Sequence, residues 1–340
     1  MVDPASGHDD CPIRAAVSGL AARVDFMDQE LPVTVDDQRS GGLPETWSPS
    51  SLNTFLKCPL AYWWQYAQGW RSPPNAALEA GTLVHGVLEE LLSAEPAART
   101  RERAREIYAL HAAELATTLD PRVDQDDLRA RAGTALTSYF ELETPEDVEL
   151  VPDGLERRVM TTIDGVPIGG SIDRIEFSVG GVRVLDYKTG GAKPRYAEAY
   201  WRQLLLYAQM LENDGLDVSE IALLYLGEPA RLMVRPVPPE ARERAGRDLV
   251  DAAQARADFD EQSRWMARTG PLCGSCPFRG VCPAWSRSAV PTPGSADSQR
   301  QLERSPDVVR RSPRVVHSAV ADSTSGGEAA AQNAGESGAY

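Results

Sequence analysis

The sequence predicts a mixed α/β fold, a central β-sheet with helices packed on it. Apolar residues first recur at helical spacing, then alternate over three short runs, then return to a helix–strand–strand–helix series. With 340 residues, 42% hydrophobic and 25% charged, the chain can bury a sizeable core.

The folded body opens with "SPSSLNTFLKCPLAYWWQY". Ser48 or Ser50 is placed to cap a helix whose apolar face runs through Leu52, Phe55, Leu56, Leu60, Trp63 and Trp64. Pro59 should break it into two short helices or kink it. "LEAGTLVHGVLEELL", "ARTRERAREIYALHAAELATTL" and "DQDDLRARAGTALTSYFELE" read as three further helices. "LERRVMTTI", "VPIGGSIDRIEFSV" and "GVRVLDYKT" alternate and are separated by Asp-Gly and Gly-Gly turns, a β-meander. "AEAYWRQLLLYAQMLEN" returns to helix, "EIALLYLG" and "RLMVRPV" read as strands, and "PPEARERAGRDLVDAAQARADF" as a long helix. There is no internal repeat.

Residues 1–45 are polar and acidic and are expected to be largely flexible. Residues 46–286 form the folded domain. The stretch 287–340, rich in Ser, Gly, Ala, Pro and Arg, is expected to be a disordered tail. No apolar run approaches the ~18–20 residues of a membrane span. The acidic start lacks the basic, apolar pattern of a secretory signal, so a cytoplasmic location and no membrane contact are expected. A formal charge of −15 argues against broad, non-specific attraction to nucleic acid. It leaves open a local basic groove or metal-mediated contact with phosphates.

The chemistry concentrates in "GGSIDRIE" and "VLDYKTG". Asp186 and Lys188 are two apart and leave one face of a strand. Alone they would be an ordinary salt bridge. Asp173 sits mid-strand between apolar residues, where a carboxylate needs a partner or a cation. Arg174 points to the opposite face and is a poor partner for it. If the intervening turn pairs the strands, Asp173 and Asp186 approach across the hairpin and repel unless one is protonated or a divalent cation lies between them.

Five cysteines without a signal favour reduced thiols or metal ligands over a disulfide framework. Cys273, Cys276 and Cys282 form C-x2-C-x5-C, so that two thiolates converge at the turn and the third returns within reach. Cys58 is the available fourth, and Cys11 in the N-terminal segment is incidental. The rings of "YWWQYAQGWR" have the composition of a base-stacking surface, but read foremost as core.

These motifs together resemble the RecB-like branch of the PD-(D/E)XK nuclease family. "SIDRIE" followed by "VLDYKTG" matches its D…(D/E)-x-K core, Gly81 and His85 its preceding Gly-x-x-x-His helix, and Gln203 and Tyr207 its following Gln-x-x-x-Tyr helix. Ile172 stands where the family name has proline. The resemblance implies a restriction-endonuclease-like sheet flanked by helices. It implies Mg²⁺ or Mn²⁺ held by His85, Asp173, Asp186 and the carbonyl of Tyr187. Lys188 would act on the attacking water or the phosphate charge, with Gln203 and Tyr207 positioning it, the metal shell or DNA. Glu89 and Glu156 are left outside this set.

The four cysteines resemble those of the iron–sulfur members, the AddB type and the CRISPR-associated exonucleases. There they hold a [4Fe–4S] cluster that joins the N- and C-terminal parts around single-stranded DNA. A four-cysteine zinc site is the alternative that spacing permits. The expected function is a metal-dependent DNA exonuclease of repair or recombination, preferring single-stranded ends. No GxxxxGK[ST] loop is present, so it would act alone or beside a separate helicase. The competing expectation is a non-catalytic DNA-binding or scaffold subunit of a helicase–nuclease complex.

Overall fold

In the computed structural model the described residues are 30–36, 42–193, 197–286 and 289–310. The meander and the strands after it form one five-stranded sheet in the order β3-β4-β5-β6-β7. Its strands are β3 (Leu150–Ile163), β4 (Val166–Ser178), β5 (Gly181–Lys188), β6 (Val218–Tyr225) and β7 (Arg231–Pro236). β3, β4 and β5 are antiparallel neighbours, β5 and β6 are parallel, and β7 returns antiparallel. Asp164 and Gly165 both have positive φ (48° and 82°), the backbone that a two-residue hairpin turn demands. The parallel step between β5 and β6 requires a crossover, supplied by the helix Glu198–Asn213.

The helices are α1 (Pro49–Lys57), α2 (Pro59–Tyr62), α3 (Ala76–Ser93), α4 (Arg101–Thr118), α5 (Gln125–Leu142), α6 (the crossover) and α7 (Pro239–Glu261). Ser48 caps α1: its hydroxyl accepts from the Ser51 N–H at 3.1 Å, while the Ser51 hydroxyl takes the Ser48 N–H at 2.9 Å. Pro59 ends it as expected, leaving Cys58 extended between two helices. One π-type turn follows, closed by the Gln68 N–H on the Trp63 carbonyl.

Strand alternation divides the core. Val184, Ile221 and Leu223 pack with Trp201, Leu204, Tyr207 and Leu211 of α6. Leu185, Tyr187, Ala222 and Leu224 pack with Leu83, Val84, Val87 and Leu91 of α3. Of "YWWQY", Tyr62, Trp63 and Trp64 are core, almost fully buried, with Trp64 stacked on Phe278 at 5.1 Å.

Both ends of the folded body extend beyond the limits that composition suggests. β1 (Glu30–Thr34) pairs antiparallel with β8 (Arg264–Arg268), inside the stretch expected to be flexible. Residues expected to belong to the tail form α8 (Ala296–Glu303) and β9 (Val309–Arg310), and β9 pairs with β2 (Trp70–Arg71). These segments are too short and polar to fold alone. They are ordered by edges and rings elsewhere: Leu302 and Val308 are buried in the main core, and the Trp70 indole N–H donates to Gln299 at 3.0 Å. Cys11 and the remaining termini lie outside the described residues. No helix among the described residues is long and apolar enough to cross a membrane.

Arg174 has no exposed side-chain surface. It makes two bonds to Glu143 at 2.8 and 2.6 Å, pairs with Glu176 at 2.9 Å and donates to the Tyr187 hydroxyl at 3.0 Å. Removing it takes both bonds from the largely buried Glu143 and leaves Glu176 with Arg183 alone. Arg174→Ala is therefore expected to lower the unfolding free energy by about 3–5 kcal/mol in urea denaturation; a loss under about 1 kcal/mol would show that the network carries no weight.

Candidate active site

Three strands and two helices converge on the site. In the β4–β5 register Arg174 faces Leu185, so the next pair outward sets Asp173 opposite Asp186. Cross-strand partners share a face, which forces the two carboxylates together. The Tyr187 N–H donates to Asp173 Oδ2 at 2.8 Å. Asp186 is held by Gln203 Nε2, 3.1 Å from its Oδ1, and by Lys188 Nζ, 2.5 Å from its Oδ2. Gln203 reaches Asp186 because α6 crosses back over the strand that it follows. The Lys188 ammonium also lies over the Tyr200 ring, 4.4 Å from its centre.

His85 projects from α3 with Nδ1 3.6 Å from Asp173 Oδ2 and 3.6 Å from Glu156 Oε1. Its ring packs edge-on to Tyr187, with centres 5.6 Å apart. His85, Glu156 and Asp173 are the one set among the described residues whose donor atoms all lie within 4.8 Å of each other in a metal-holding group. One imidazole and two hard carboxylates suit a divalent cation.

Burial, and then the charge of Asp186, push the Asp173 carboxyl up to about 7. Burial opposes the charged form of His85. The hydrogen bond to Glu156 and the charges of Asp173 and Asp186 outweigh it, so His85 rises above its usual range. Burial also opposes the Lys188 ammonium, but Asp186 outweighs that and holds the lysine protonated. Glu156 is lowered by its bond to His85. A cation at this centre would relieve the repulsion that Asp173 and Asp186 now share.

Of the residues that the sequence singles out, His85, Asp173, Asp186, Lys188 and Gln203 meet here. The Tyr187 group in contact with Asp173 is its N–H. Tyr207 stands one turn behind: its hydroxyl bonds Gln203 and burial raises it far above its usual range. Its ring lies so close to Gly170 that a Cβ there would come within 2.8 Å of the hydroxyl.

Glu156 is the member that sequence reasoning left out. It has a left-handed backbone (φ 42°) beside a register shift between Leu150 and Leu155, and such a bulge re-aims a side chain. A signal for it did exist. Counted back from the Asp164–Gly165 turn, Glu156 and Asp173 stand at the same distance and so oppose each other.

Cys58, Cys273, Cys276 and Cys282 line one cavity of about 550 Å³, with Trp64 and Phe278 also in its wall. Burial raises the Cys276 thiol and pushes Cys282 up to about 11, Cys58 adding to both. No three of these sulfurs lie within 4.8 Å of one another.

Comparison with known proteins supports a family assignment. Residues 46–283 match the family model described as the PD-(D/E)XK nuclease superfamily. The Gene 69 protein of Mycobacterium phage D29 is 29% identical over 166 residues, 42% of this chain. The match spans 62% of that protein's own length. A provisionally assigned exonuclease from Eubacterium rectale aligns over 74% of this chain and 91% of its own, with 13% identity and a TM-score of 0.49. The crystal structure of SSO0001 aligns over 72% and 90%, with 14% identity and a TM-score of 0.35.

The elevated Asp173 has a sign that can be tested without metal. Its pKa is raised from 3.8 to about 7, so its contribution to stability is full below the lower value and gone above the upper one. Metal-free wild type should therefore lose more stability between about pH 4 and about pH 7 than Asp173→Asn, which cannot ionise. Parallel urea midpoints across that window check this, and identical pH profiles would refute it.

Proposed function

Because the chain belongs to the PD-(D/E)XK nuclease superfamily, we propose that it is a metal-dependent deoxyribonuclease that hydrolyses phosphodiester bonds, an exonuclease preferring single-stranded ends. The observation that carries the reading is the convergence of His85, Glu156 and Asp173 into one donor set beside the Asp186–Lys188 pair. A Mg²⁺ or Mn²⁺ ion bound there would neutralise phosphate charge and lower the pKa of a bound water. His85, Glu156 and Asp173 would hold it, with Asp186 and the Tyr187 carbonyl as further oxygen donors. Lys188 is better suited to stabilising the developing phosphate charge than to removing a proton, because Asp186 keeps it in the ammonium form. Gln203 fixes Asp186, and Tyr207 fixes Gln203.

The four cysteines fit an iron–sulfur cluster, as soft donors around one cavity walled by aromatic rings. A four-thiolate zinc ion would hold its sulfurs about 3.8 Å apart, given tetrahedral bonds of about 2.3 Å. The cluster's role would be structural, between the segment after α1 and the loop after β8. DNA repair or recombination, beside a separate helicase, is the setting in which such an activity would serve.

Two measurements test this. Cleavage of end-labelled single-stranded DNA with Mn²⁺ or Mg²⁺ should fall by about 10²–10⁴-fold in Lys188→Ala and in Asp173→Asn. Wild-type protein that is inactive when prepared anaerobically, or a Lys188→Ala variant that cuts equally well, would overturn the catalytic reading and leave a binding subunit. Anaerobically purified protein should also be brown, with iron lost in Cys276→Ser. Colourless protein with stoichiometric zinc would replace the cluster by zinc.

A further inference from the structure

A groove of about 770 Å³ runs beside the donor set, between α3 and the edge of the sheet at β3 and β4. Leu78, Gly81 and His85 line it from the helix, and Glu156, Arg158 and Ser171 from the strands. Leu78 is more than half exposed, an apolar side chain open to the groove. Glu89 and Glu156 make the wall acidic. Among the described residues that line it, Arg158 alone carries a permanent positive charge.

We propose that Arg158 anchors the backbone of the DNA strand entering this groove, as a phosphate-binding residue one step removed from the reacting centre. Arg158 lies two residues beyond Glu156 on β3 and faces Ser171 across the hairpin. Its side chain is exposed, and it has no ion-pair partner among the described residues. Arg157 beside it is paired with Asp214, and Arg174, Arg183 and Arg202 all have carboxylate partners. A free guanidinium beside two carboxylates, on a chain of net charge −15, stands where a polyanion must approach. Its five donors suit a phosphate better than a point charge would. Ser171 already donates to Glu156, so it does not compete for the strand.

The inference rests on the nuclease reading, and the experiment separates the two. Full-length wild type, Arg158→Ala and Arg158→Lys are compared for binding of a labelled oligothymidylate with Ca²⁺ over a KCl series, and for cleavage with Mn²⁺. Arg158→Ala should bind on the order of tenfold more weakly, with a salt slope shallower by about 0.7. Its KM should rise by a similar factor with kcat nearly unchanged, and Arg158→Lys should keep most of the slope. A wild type that binds and cuts while Arg158→Ala matches it in slope and KM overturns only the role of Arg158. So does an Arg158→Ala that loses kcat alone. A wild type that neither binds nor cuts DNA overturns the nuclease reading and this inference with it.

Discussion

Everything at this site follows from one forced proximity: the hairpin register that sets Asp173 opposite Asp186. Two carboxylates on adjacent strands, both largely buried, cannot both be ionised cheaply. Each surrounding group offsets part of that cost. The Tyr187 N–H and the His85 imidazole face Asp173, while Gln203 and Lys188 face Asp186. What remains is visible as the displaced proton affinity of Asp173. A site that stores unfavourable charge in this way is prepared for a cation, since binding one removes the repulsion at its source.

The same alternation assigns the neighbouring residues to a different task. Arg174 follows Asp173, and Tyr187 lies between Asp186 and Lys188, so both point through the sheet toward the α3–α5 layer. There Arg174 meets Glu143, Glu176 and the Tyr187 hydroxyl. Period-two geometry thus builds a charged network behind the strands and a charged site in front of them, from adjacent residues. The two are coupled at Tyr187, whose phenol belongs to the network and whose N–H holds Asp173.

Local patterns in the sequence were enough for the sheet, the crossover helix and Asp173, Asp186 and Lys188, whereas His85 and Gln203 were picked out only through the family resemblance. The periodicities there are long, and the turns carry Asp-Gly or Gly-Gly. Glu156 was passed over because it opens the first alternating run, although its distance from the Asp164–Gly165 turn sets it opposite Asp173. β1, β2, β8 and β9 escaped for another reason. Each is a short strand whose partner lies more than two hundred residues away, so no local period marks it. Composition assigned residues 289–310 to the tail because the rings that order them belong to the other end of the folded body.

Those long-range pairs alter how the cysteine cavity should be understood. β1 with β8 and β2 with β9 already join the two ends of the folded body through backbone hydrogen bonds, and Trp64 stacks on Phe278 between them. Cys58 occupies the bend between α1 and α2, and the triplet follows β8, so the thiols occupy a junction that packing has already closed. Four thiols gathered this way lose less conformational entropy on taking a metal group than thiols on separate, mobile segments. The junction therefore need not be created by what binds there. A bound cluster would instead tighten it, and α1, which leads into the junction, also meets the site helix: Asn53 donates to the Ala199 carbonyl of α6 at 2.8 Å. The chain of contacts from that junction to the site is short: α1 touches α6, and Gln203 of α6 holds Asp186.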